Sequence, residues 1–223
     1  MNGDPLRAVF FDVDGVLLDS LPQHLRYCAL KAREYGLHLQ LPRTDELREA
    51  ISRGLRVSPM LRFFLAVGFP PALAERGVAD YEREFMQRCP PPPFAGIGAC
   101  LERLRDAGLA LGLVTSNTRA NVEPALGATM ALFDPRLLFF FEHGGKSSDK
   151  GWCLAEGARR LAVPAPSCVY VGDQPADRSA ARSAGVRFLG VRYGWGLLHA
   201  EADLVAVDSV PAIADALLAG QPP

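Results

Sequence analysis

The sequence predicts an α/β protein: a doubly wound parallel sheet, Rossmann-like, with a helical cap subdomain inserted near its start. Three observations carry this prediction. The first apolar run, Arg7-Ala8-Val9-Phe10-Phe11, ends abruptly in Asp12-Val13-Asp14-Gly15. From Phe94 onward, short apolar runs alternate with segments of helical period. Between residues 21 and 90 there is helical period and no strand signal. The expected organisation is a core of residues 1–19 and 93–223 around a helical cap of residues 20–92.

The first run is rich in aromatic and β-branched residues and reads as a short buried strand. Burying an unpaired carboxylate is expensive. The strand therefore ends at Asp12, and the aspartates face a cleft at its carboxyl end, where open α/β sheets place ligands. Residues i and i+2 of an extended chain point to the same side. Asp12 and Asp14 repel there unless a proton or a cation such as Mg²⁺ lies between them. Gly15 lets the backbone turn away. Taken by itself, the pair also fits a strand-end turn with solvated aspartates.

In the insert, Pro22–Tyr35 carries Leu25, Cys28, Ala29 and Ala32 on one face and stops at Gly36. Helices follow over Thr44–Arg53, Ser58–Val67 and Pro71–Arg88. Pro90-Pro91-Pro92-Pro93 is a stiff connector. The alternating part then reads as helix Ile97–Ala107, strand Leu109–Val114, helix Arg119–Met130 and a strand within Leu137–Phe141. A loop from Gly144 to Lys150 leads to helix Gly151–Leu161 and strand Cys168–Val171. A helix ending at Gly185, strand Val186–Val191, a strand near Leu204–Val207 and a last helix to Leu218 complete the chain. Strands alternating with helices argue for a parallel sheet covered on both faces.

Bulk properties narrow the function. A formal net charge of −1 carries no nucleic-acid or membrane footprint. No signal-like segment and no run of about 18 apolar residues is present, so a cytoplasmic location is expected. Five scattered cysteines without CxxC spacing suit neither a metal cage nor a disulfide framework. Only three lysines occur: Lys31, Lys146 and Lys150.

Four strand ends carry polar residues. They are Asp12 with Asp14, Thr115 with Ser116 and Asn117, the loop with Lys146 and Lys150, and Asp173 with Asp177. In a parallel sheet these ends share one rim. Each signal alone has a structural alternative: a helix cap at Thr115, a solvated lysine, a turn at Gly172-Asp173. Their shared position, each after an apolar strand, is what those alternatives leave unexplained.

These motifs resemble the haloacid dehalogenase-like hydrolase superfamily. The likeness is to its helical-cap branch, which includes phosphoglycolate phosphatase-like and β-phosphoglucomutase-like proteins. The resemblance rests on Phe11-Asp12-Val13-Asp14-Gly15 through Ser20, on Leu113-Val114-Thr115-Ser116-Asn117, and on Val171-Gly172-Asp173 through Asp177 with the tail to Gly185. It implies that Asp12 attacks phosphorus to form an aspartyl-phosphate and that Asp14 acts as general acid, then base. It further implies Mg²⁺ held by Asp12, the Asp14 backbone carbonyl and Asp173, with Asp177 in support. Thr115, Ser116 and Asn117 would bind the phosphoryl group, and a core lysine would neutralise charge.

Of the two core lysines, Lys150 stands immediately before its helix, the spacing of relatives whose lysine opens that helix. Lys146 follows Gly145, as in Gly-Lys-Pro variants, but lies farther from the helix. Lys150 is the favoured residue. In the cap, Arg53 and Arg56 fall where related caps carry a substrate-specificity loop, and arginine suits a carboxylate or a second phosphate. A solvated face is the competing reading. His24 matches a substrate-facing histidine of β-phosphoglucomutase-like proteins, or packs at the cap hinge. The implied activity is Mg²⁺-dependent hydrolysis of a small phosphorylated metabolite. A β-phosphoglucomutase-like phosphomutase is the alternative, and a non-catalytic binding protein a third reading.

Overall fold

The computed structural model describes residues 5–141, 149–199 and 204–219. Six parallel strands form one sheet in the order β3-β2-β1-β4-β5-β6. They are β1 (Ala8–Phe11), β2 (Ala110–Val114), β3 (Leu138–Phe139), β4 (Cys168–Gly172), β5 (Arg187–Val191) and β6 (Ala206–Val207). The chain winds outward from β1 to β3, then returns to β1 and winds the other way. The reversal lies between β1 and β4, so a crevice opens at their carboxyl ends. This is the doubly wound α/β fold that the alternating pattern predicts.

Alternate residues of β1 serve opposite faces of the sheet. Val9 and Phe11 pack with Ile97 and Leu101 of α5 (Ile97–Asp106) and Ile213 of α9 (Val210–Leu218). Ala8 and Phe10 pack with Leu154 of α7 (Lys150–Leu161) and Ala181 of α8 (Pro175–Ser183). Burial on both faces explains why β1 and β4 read as unbroken apolar runs.

Between β1 and α5 lie α1 (Leu21–Glu34), α2 (Thr44–Ser52), α3 (Met60–Ala66) and α4 (Pro71–Arg88). They share an apolar cluster of their own, centred on Tyr27, Phe63, Phe64, Tyr81 and Phe85, which Trp195 joins from the loop after β5. The chain leaves and re-enters the core side by side. Asp19 N donates to Pro92 O and Phe94 N to Leu17 O, each at 2.9 Å. Among the described residues no helix is long and apolar enough to cross a membrane.

Element boundaries differ from the sequence reading in places. The helix expected over Arg119–Met130 is α6, Arg119–Leu126, followed by a 3-10 segment at Gly127–Leu132. Pro124 removes an amide donor within α6, and Gly127 adopts φ +53° at its end. Lys150, expected just before its helix, is the helix's first residue. Asp149 caps α7, accepting from the Gly151 amide at 2.8 Å and the Trp152 amide at 3.3 Å.

Candidate active site

Asp12 follows β1 directly and stays in register, its amide donating to Val171 O of β4 at 2.9 Å. Asp173 follows β4, and Asp177 lies in the first turn of α8. The carboxylates of Asp12, Asp173 and Asp177 each bring an oxygen within 4.8 Å of the others, and all three are buried. The tight turn beyond Asp12 requires glycine. Gly15 has φ +81°, and a Cβ there would meet Asp173 Oδ2 at 2.2 Å. Gly194 presses in from the loop after β5, where a Cβ would meet Asp173 Cβ at 2.3 Å. That close approach lets the Trp195 amide donate to Asp173 Oδ2 at 2.6 Å.

Lys150 Nζ lies 2.8 Å from Asp12 Oδ2 and 2.8 Å from Asp177 Oδ1. Its ammonium also sits 5.8 Å from the centre of the Tyr170 ring. The Tyr170 hydroxyl donates to Val114 O at 3.0 Å and lies 3.3 Å from Asp177 Oδ1. Asp177 Oδ2 accepts from the amides of Asp173 and Gln174 at 3.2 and 3.1 Å, tying the carboxylate to the start of α8. Lys146 lies outside the described residues.

Electrostatics follow from this crowding. Burial pushes the Asp12 carboxyl up to about 7, opposed by Lys150 and reinforced by Asp177. Burial, then Asp177 and Asp12, hold the Asp173 carboxyl well above its ordinary value. Burial opposes charge on Lys150, but the two carboxylates beside it outweigh that and keep it an ammonium. Three buried carboxylates that share one ammonium favour a further positive charge, a proton or a cation, between them. Asp173 Oδ1 is buried and finds no partner among the described residues. An all-oxygen donor set with an unsatisfied carboxylate oxygen fits a hard divalent cation such as Mg²⁺.

Asp14 stands apart from the three-carboxylate cluster. Its Oδ2 accepts from Asn117 Nδ2 at 2.8 Å, and its Oδ1 is buried without a partner among the described residues. Thr115 is buried at the end of β2, with its Oγ1 accepting from the Asn117 amide at 3.0 Å. Ser116 is exposed beside it.

The cap residues divide. Arg53 and Arg56 are exposed between α2 and α3, and Arg53 pairs with Glu49 at 2.6 Å. His24 is buried among the rings of Phe63, Tyr81, Phe85 and Trp195. Its Nδ1 donates to Ser20 O at 2.6 Å, and its Nε2 is 3.0 Å from the Tyr81 hydroxyl. Burial lowers its proton affinity. Sequence reasoning overlooked Arg48 of α2. Its Nε donates to Gly194 O at 2.6 Å and its Nη2 to Arg192 O at 2.8 Å, joining the cap to the loop that touches Asp173. A cavity of about 250 Å³ opens beside this joint, lined in part by Asp19, Thr44, Arg48 and Tyr193. It does not include the carboxylate cluster. Tyr170 was likewise overlooked, because inside an apolar strand it reads as core.

A family model for haloacid dehalogenase-like hydrolases matches residues 6–185. N-acetylmuramic acid 6-phosphate phosphatase of Pseudomonas aeruginosa is 28% identical over 200 residues, covering 88% of this chain and 85% of that protein. Phosphoglycolate phosphatase of Xylella fastidiosa strain Temecula1 is 32% identical over 202 residues, covering 85% of this chain and 81% of that protein. Among solved structures, a haloacid dehalogenase-like family hydrolase of Streptococcus pneumoniae superposes with a TM-score of 0.74 at 19% identity, covering 94% of this chain and 98% of that one. The family match spans β1 through α8, the stretch that carries Asp12, Thr115, Lys150, Asp173 and Asp177: the chain belongs to the haloacid dehalogenase-like hydrolases.

Proposed function

We propose that this chain is a Mg²⁺-dependent phosphatase that hydrolyses a small phosphorylated metabolite through an aspartyl-phosphate on Asp12. The observation that carries the reading is the Lys150 ammonium bridging Asp12 and Asp177 beside Asp173. A nucleophilic carboxylate that attacks a phosphate monoester must approach like charge. A fixed ammonium at 2.8 Å offsets part of that repulsion.

Asp12, the Asp14 backbone carbonyl, Asp173 and Asp177 would hold Mg²⁺. When bound, the ion supplies charge compensation on the phosphoryl oxygens. Asp12 is aimed by its own Oδ1, which accepts from the Val13 amide at 2.8 Å. The Thr115 oxygen already accepts from a backbone amide, so its hydroxyl hydrogen is left to donate to a phosphoryl oxygen. Asp14 protonates the leaving oxygen, then takes a proton from the water that hydrolyses the aspartyl-phosphate. We take residues 1–19 and 93–223 as the catalytic core and residues 20–92 as the cap that selects the substrate.

The named substrates of the two relatives, phosphoglycolate and N-acetylmuramic acid 6-phosphate, each join a phosphate ester to a carboxylate. A substrate of that class suits a cap that presents Arg53 and Arg56. The test is release of phosphate from p-nitrophenyl phosphate with Mg²⁺ and with EDTA, then from a panel of carboxylated and neutral phosphate esters. Full activity in EDTA, or none in Mg²⁺, defeats the proposal. Turnover of β-glucose 1-phosphate with a bisphosphate activator would instead mark a phosphomutase.

A further inference from the structure

We infer that Asn117, held by Asn121, is a positioning residue that fixes the orientation of the Asp14 carboxyl group. The inference rests on the acid role proposed above for Asp14 and adds how this chain orients it.

Hydrogen-bond polarity decides the orientation of the Asn117 side chain. Its Oδ1 accepts from the backbone amide of Thr118 at 2.8 Å. A backbone N–H can only donate, so the oxygen of the Asn117 amide must face Thr118. Asn121 Nδ2 donates to the same oxygen at 3.0 Å. The Asn117 nitrogen is therefore directed away from both, and it lies 2.8 Å from Asp14 Oδ2. A flipped amide would set an oxygen against the Asp14 carboxylate and a nitrogen against the Thr118 amide, breaking both contacts.

The consequence falls on Asp14. Oδ2 is held by the Asn117 amide, which fixes the plane of the carboxyl group. Oδ1 is buried and has no partner among the described residues. The two oxygens thus differ in their partners before substrate arrives. The chain order reinforces this, because Asn117 and Asn121 stand on either side of the start of α6, one helical turn apart. The Asn117 amide proton is meanwhile taken by Thr115 Oγ1 at 3.0 Å. One loop therefore orients both the phosphoryl-binding hydroxyl and the acid.

In the transfer step, an Asp12 carboxylate oxygen forms a bond to phosphorus. The ester P–O bond breaks and its electron pair passes to the leaving oxygen, which takes the proton from the Asp14 carboxyl group. A good leaving group needs little protonation and a poor one needs it most, so misplacing the acid must discriminate between esters.

The experiment measures kcat/KM, which reports the first transfer step, for 2,4-dinitrophenyl phosphate and phenyl phosphate. Asn117→Ala removes the donor that faces Asp14 without placing a charge beside it. It should lower kcat/KM for phenyl phosphate roughly 10²-fold more than for the dinitrophenyl ester. Asn121→Ala should show the same selectivity more weakly, and it decides the matter if Asn117→Ala does not fold. Equal losses on both esters, or no loss on either, overturn the inference. Asp14→Asn is the reference. If it too fails to discriminate between the esters, the acid role itself is wrong. If it discriminates and the Asn117 and Asn121 variants do not, only the positioning role falls.

Discussion

Lys150 Nζ stands 2.8 Å from Asp12 Oδ2 although 138 residues separate them, because β1 and the start of α7 end on the same rim. The contact is made through the first residue of a helix that Asp149 caps, so the ammonium is aimed before substrate arrives. Replacing Lys150 by Ala should lower kcat by about 10²-fold or more, the scale of losing one preorganised charge-stabilising donor. Steady-state kinetics on p-nitrophenyl phosphate checks this. A loss below about tenfold would remove Lys150 from the reaction.

Asp12 supplies the pH prediction. Its carboxyl is raised from 3.8 to about 7 by burial, with Lys150 opposing. Between those values the folded, metal-free protein keeps a proton that the unfolded chain has released. Stability in EDTA should therefore fall as pH rises from about 4 to about 7. Asp12→Asn should abolish turnover, flatten that decline and melt higher than wild type near neutral pH. Thermal melts across pH read this directly, and added Mg²⁺ should raise the wild-type melting temperature.

Arg48 joins the cap to the core through two backbone carbonyls of the loop after β5. Arg48→Ala removes both bonds and should cost about 1–2 kcal/mol at this part-exposed site. The same loop carries Gly194 and Trp195 against Asp173, so its backbone should open more often. Hydrogen exchange should accelerate at residues 192–196 and leave β1 unchanged. Unaltered exchange in that loop would show that the contact does not hold the cap.

The cap has its own buried charge cluster. Asp80 accepts from Lys31 Nζ at 2.6 Å and from the Tyr35 hydroxyl at 2.6 Å, and it also pairs with Arg83. The Lys31 hydrogen bond first, then that of Tyr35, draws the Asp80 carboxyl down to about 2. Its stabilisation is present above the ordinary carboxylate value of 3.8 and is lost as pH falls toward 2. Asp80→Asn should cost about 2 kcal/mol at pH 7 and make the protein less sensitive to acid below pH 4, by urea titration.

The sequence by itself determined the fold class and the positions after each strand. Apolar runs that serve two buried faces, broken by helical periods, leave a parallel sheet as the economical solution. Asp12, Thr115 and Asp173 were legible for the same reason: each is a polar residue set directly after a run that burial favours. The four cap helices were legible from period alone.

Tertiary structure decided what depends on partners distant in the chain. Nothing local to His24 states that four rings from α3, α4 and the loop after β5 enclose it. Arg48 reads as one solvated arginine among many until Gly194 and Arg192 present carbonyls to it. Tyr170 reads as core until α7 lays Lys150 over its ring. Asn117 lies next to Thr115 and Ser116 in the chain, yet its amide is turned toward Asp14, which is 103 residues away. Periodicity records which face a residue buries. It does not record which donor meets which acceptor, and that pairing arises only when separate strands end on one rim.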